Sequence, residues 1–103
     1  MQFMLRIDVT LPADMPQAEK IALRDRENAR ALELVEARTL RRIWRVVGRM
    51  ANYSVWEAES LEALHAAIQS MPMFPYMKID VTPLVEHPVT EAWRKGRGDL
   101  PAF

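Results

Sequence analysis

Three stretches of this chain alternate apolar and polar side chains, and a period of two confines each to a strand with one buried face. Phe3, Leu5, Ile7 and Val9 point one way between residues 2 and 10, while Gln2, Met4, Arg6, Asp8 and Thr10 point the other. Asn52-Tyr53-Ser54-Val55-Trp56 alternates again. So does Tyr76 to Thr82, where Met77, Ile79 and Val81 oppose Tyr76, Lys78, Asp80 and Thr82. Leu40 to Val47, with Ile43, Trp44, Val46 and Val47 around Arg45, reads as a fourth strand. It joins the Asn52 run through a hairpin turn near Gly48 to Ala51.

Helical spacing fills the gaps. After Leu11-Pro12-Ala13, Asp14 followed by Pro16 and Gln17 resembles a capping box that opens a helix running to about Arg38. Ala18, Ile21, Ala22, Ala29 and Leu32 form one stripe along it, and Leu23, Ala31 and Leu34 form a second on nearly the opposite side. One stripe is expected on the chain's own sheet, the other on a neighbouring subunit or the C-terminal arm. Ser60 caps a second helix carrying Leu61, Leu64, Ile68 and Met71, which Pro72 ends. The order β-α-β-β-α-β predicts an α+β, ferredoxin-like fold: a four-stranded antiparallel sheet with two helices on one face. Residues 1–88 form the domain and residues 89–103 a C-terminal arm with Trp93 as its one large anchor.

The 103 residues suffice for one core, and 50% hydrophobic with 27% charged residues is a globular balance. Fourteen basic side chains against fourteen acidic ones leave no field of one sign to hold nucleic acid or an anionic membrane. Cysteine is absent, which removes disulfide, thiolate and zinc–thiolate chemistry. No apolar run approaches the roughly 20 residues of a membrane span, and the N-terminus lacks a leader pattern. The expectation is a cytoplasmic protein that oligomerises to bury more apolar surface than so small a domain can alone.

Polar positions on the strands are expected on the open face of the sheet or at its rim: Arg6, Asp8, Lys78 and Asp80, with Asn52 and Ser54. Arg45 shares strand parity with Ile43 and Val47, so it needs an acceptor: Asp8 or Asp80 in an ion pair, or the carboxylate of a substrate. Two acids interrupt the apolar stripes of the first helix, Asp25 beside Ile21, Ala29 and Leu32, and Glu27 beside Leu23, Ala31 and Leu34. In a dry pocket either is a proton shuttle, and on the surface Glu27 pairs with Arg24 or Arg30. Glu62-x-x-His65 is one half of a di-iron pattern that needs two, so His65 reads as a helix-surface residue. Arg97-Gly98-Asp99 carries no functional meaning here.

Together these residues resemble the muconolactone Δ-isomerase family of bacterial aromatic catabolism. The likeness rests on Arg6-Ile7-Asp8-Val9, Asp14-Met15-Pro16, Arg26-Glu27, Ile43-Trp44-Arg45-Val46-Val47-Gly48, Glu62-Ala63-Leu64-His65, Met71-Pro72-Met73-Phe74-Pro75-Tyr76-Met77, Val81-Thr82-Pro83-Leu84 and His87-Pro88. Where that family commonly has Ser-Gly-Lys after its first helix, this chain has Ala37-Arg38-Thr39, and its tail from Val89 lies outside the pattern.

The resemblance implies a cofactor-free isomerisation of muconolactone to 3-oxoadipate enol-lactone, by proton transfer from C4 to C2. It also implies a dimeric α+β barrel type of assembly, a homo-oligomer built from dimers into a decamer. Glu27 matches the family's helix acid and is the expected base, with Asp25 in reserve. Arg45 matches the Trp-Arg motif and is expected to hold the substrate carboxylate, with Asn52, Tyr76 and His87 as lactone contacts or walls. The alternatives are a related barrel protein acting on another lactone, a cofactor-free monooxygenase, or a non-catalytic oligomer.

Overall fold

The computed structural model describes residues 1–101; the last two residues of the arm lie outside the described part. The elements are β1 (Gln2–Val9), α1 (Gln17–Glu36), β2 (Leu40–Arg45), β3 (Ala51–Glu57), α2 (Leu61–Gln69), a single 3-10 turn (Phe74–Tyr76), β4 (Met77–Leu84) and α3 (Pro88–Arg97). The strands form one antiparallel sheet in the order β2-β3-β1-β4, the ferredoxin-like arrangement. Pro83 is tolerated because β4 is an edge strand.

Phe3, Leu5 and Ile7 are buried on one face of β1, with Trp56 on β3 and Leu40 on β2, against Leu34 of α1 and Leu64 and Ile68 of α2. Leu23, Glu27 and Leu34 are the buried residues of α1. The shorter stripe therefore faces the sheet. The longer one stays outside, with Ile21 41% and Leu32 68% exposed, so no described residue of the chain covers it.

Three local expectations change. The capping box at Asp14 is not formed: Pro16 occupies the cap with φ −60° and ψ 146°, and no side chain caps α1. Asn52 and Ser54 lie on the helix side of the sheet, because the register sets them opposite Ile7 and Leu5. Ser54 is fully buried there and accepts a hydrogen bond from the Trp56 indole at 2.8 Å, which satisfies a donor the core would otherwise strand. The arm contains a helix: α3 is capped by His87, whose Nδ1 accepts from the Val89 N–H at 3.0 Å, but it buries none of its own residues. Trp93 instead stacks under Arg97 at 4.6 Å and donates to the Asp99 carbonyl. Ser60 caps α2 as expected, accepting from the Ala63 N–H.

Arg38 adopts φ 63° after α1. The Thr39 N–H reaches the Leu34 carbonyl and the Arg38 N–H the Val35 carbonyl, a complete Schellman stop built on a residue that pays for the left-handed region. Arg38→Gly is expected to stabilise the fold by about 1 kcal/mol. Thermal unfolding should show a midpoint raised by roughly 4–8 °C for a domain of this size.

Candidate functional site

Glu27 is the one buried carboxylate among the described residues, 9% exposed on the sheet-facing side of α1. Its Oε1 accepts the Met73 N–H at 2.8 Å, so the segment after α2 grips one oxygen of the side chain. Burial pushes the carboxyl above the ordinary glutamate range, and the Met73 N–H pulls back only in part. The surface pairing with Arg24 or Arg30 does not form; Arg30 binds Ser70 and Glu33. Asp25 is exposed to solvent on another face of the helix.

Asn52 lies opposite Ile7 on one side and opposite Arg45 on the other, so β3 and β2 bring these two side chains to the helix-facing side near one end of the sheet. Asn52 Oδ1 is buried and has no hydrogen-bond partner, a polar atom placed where a buried group is normally satisfied. Arg45 is exposed and is not in an ion pair with Asp8 or Asp80. Asp8 is taken by Arg6, whose Nε and second guanidinium nitrogen donate to it at 2.9 and 3.0 Å while the third donates to Tyr53. That contact holds the Asp8 carboxyl below its usual range. The polar row on the open face is thus satisfied internally, and Arg45 on the other face is left with a free guanidinium among the described residues.

Tyr76 is half-buried at the same end as Asn52 and Arg45. Its carbonyl accepts the Thr10 N–H and its own N–H donates to Met73, which ties the Met73 segment to the end of β1. His87 is not brought there. It follows β4 at the Gln2 end of β1, a full strand length or about 25 Å away.

A cleft of about 400 Å³, lined by Val9, Thr10, Leu11, Gln17, Lys20, Arg24, Met50 and Met73, adjoins Glu27 through Met73, whose N–H the carboxylate accepts. In the sequence Lys20 has no distinguishing feature and Arg24 reads only as a surface partner of Glu27, since basic residues on a helix ordinarily face solvent. A larger hollow of about 500 Å³ at the other end of the sheet, bordered by Met1, Arg38 and Glu57, contains no buried acid, so volume alone does not locate the site. Among the described residues no three His, Cys, Asp or Glu side chains gather as metal ligands. His65 is exposed on α2, edge-on to Phe74 at 6.0 Å.

A buried acid, a buried amide oxygen without a partner and an unpaired Arg thus lie on one side of a ferredoxin-like sheet, groups chemically able to move a proton and to hold a small anion. The family model described as muconolactone delta-isomerase matches residues 1–90. The chain belongs to the muconolactone delta-isomerase family. The muconolactone Delta-isomerase of Cupriavidus pinatubonensis is 44% identical over 88 residues, spanning 85% of this chain and 96% of that relative. Muconolactone Delta-isomerase 1 of Acinetobacter lwoffii is 43% identical over 88 residues, 85% and 92% of the two chains. A crystal structure of muconolactone isomerase superposes with a TM-score of 0.80 at 42% identity, covering 85% of this chain and 92% of that one. The match to the muconolactone delta-isomerase family ends three residues into α3, so most of that helix lies outside the matched region.

Proposed function

We propose that this protein isomerises muconolactone to 3-oxoadipate enol-lactone in the cytoplasm, as a step of aromatic catabolism, using its own side chains and no cofactor. The observation that carries the reading is Glu27: a carboxylate held dry between α1 and the Met73 segment, with a raised affinity for a proton. Glu27 removes the C4 proton, and the electron pair forms the C3–C4 double bond while charge moves through C2 to the carbonyl oxygen of the lactone. The same carboxyl then returns the proton to C2. One C–H bond breaks and one forms, with no net change in oxidation.

A carboxylate of raised pKa is a stronger base for this abstraction than a solvated one. The charge that develops on the lactone carbonyl oxygen needs a donor, and the side chain of Asn52, on the helix side of β3, carries N–H groups on its Nδ2 that can serve. Arg45 binds the carboxymethyl carboxylate, turning binding energy into orientation of C4. Tyr76 walls the same end. The test is purified protein with muconolactone, followed by NMR: enol-lactone should accumulate catalytically, and unchanged substrate at high enzyme concentration would refute the reading.

Assembly belongs to the same proposal. Ile21, Leu32 and Val35 on the outer side of α1, and Trp44 and Tyr53 on the open face of the sheet, are each 41 to 68% exposed, more apolar surface than a lone domain of this size needs to show. We read them as faces buried in dimers that build a decamer, and only another copy can bring His87 to a lactone. Light scattering at micromolar concentration is expected to give at least a dimer and a final state of ten subunits; a monomer would contradict it.

A further inference from the structure

The cleft beside Glu27 has a composition that Arg45 alone does not explain. Val9, Leu11, Met50 and Met73 give it an apolar floor, and Lys20 and Arg24 stand one turn apart on its α1 wall. Neither cation forms an ion pair or a side-chain hydrogen bond with a described residue, whereas Arg30 on the same helix binds both Ser70 and Glu33. Met73 both lines the cleft and donates its N–H to Glu27, so the cleft and the base share a residue. Arg24 lies three positions before Glu27, on the adjoining part of the helix surface.

An apolar floor under two free cations fits a small ligand with an apolar body and an anionic end. Muconolactone has that form, and its carboxymethyl arm is attached at C4, the atom Glu27 must reach. We propose that Lys20 and Arg24 hold the carboxylate of the substrate from the helix side, across from Arg45 on the sheet, so that the arm is clamped from two sides and C4 is presented to Glu27. This rests on the isomerase reading and adds to it a binding site made by α1. Charge-assisted contacts to one carboxylate are strong, and a handle held at two points loses the rotation that would carry C4 away from the base.

The experiment compares the wild-type protein with Lys20→Met, Arg24→Met and the double variant on two substrates, muconolactone and its neutral methyl ester. On the acid, each single change should raise KM about tenfold and the pair about 100-fold, with kcat near the wild-type value. On the ester the wild type and the double variant should be equal, a pattern that misfolding does not produce. An unchanged KM on the acid, or an equal loss on acid and ester, would overturn the site while leaving the isomerase reading standing. A wild-type protein that converts neither lactone would overturn both.

Discussion

Glu27→Gln is expected to lower turnover of muconolactone by about 100-fold or more, while the purified variant folds and assembles as the wild type does. Gln keeps the length and the oxygen that accepts the Met73 N–H, so the segment after α2 stays in place; only the ability to take a proton is lost. The variant should also be more stable than the wild type at neutral pH. Burial raises the folded-state pKa of Glu27, so the protonated form is favoured in the fold. The stability it contributes is present below the unfolded value of about 4.3 and is lost as pH rises through the folded one. The gain of the variant should therefore shrink in acid. Activity has the opposite sign: kcat/KM rises as Glu27 ionises, with a midpoint above the ordinary glutamate range. Asp25→Asn, on an exposed face, should change little.

Arg45→Met should act on binding. A hydrogen bond to a charged group contributes about 1.5–3 kcal/mol, so kcat/KM is expected to fall roughly 10- to 150-fold. The melting temperature should hardly move, since Arg45 is exposed and the Arg6–Asp8 pair has already taken the carboxylate nearest in sequence pattern. A variant that unfolds would show that the guanidinium is structural. Steady-state kinetics with thermal unfolding of the same samples separates the two.

Much of this was legible in the chain because two periods carry it. Alternation placed three of the strands, the β-branched and aromatic run around Arg45 placed the fourth, and Ser60 and Pro72 bracket α2. Spacing alone offers two acids that break apolar stripes, Asp25 and Glu27, and it is the family resemblance that favours Glu27; a break in the shorter stripe becomes a dry carboxylate because that stripe packs on the sheet. Which stripe would do so was not legible, since the longer one looks more apolar. The side taken by Asn52 and Ser54 was misread for a related reason: Tyr53 and Val55 are apolar too, and Trp56, with a buried indole that needs Ser54, decides the parity. The cleft cations were hidden because Lys20 and Arg24 look like any solvated helix face until the end of β1 and Met50 are folded against them. The helical part of the arm was unreadable because α3 buries none of its residues.

Muconolactone deuterated at C4, incubated with the protein in ordinary water and read by NMR at low conversion, tests the single shuttling carboxylate directly. One group serving both carbons predicts enol-lactone with part of the label at C2, and no such transfer with Glu27→Gln. Product whose new C2 hydrogen comes wholly from solvent, together with undiminished turnover by Glu27→Gln, would contradict it.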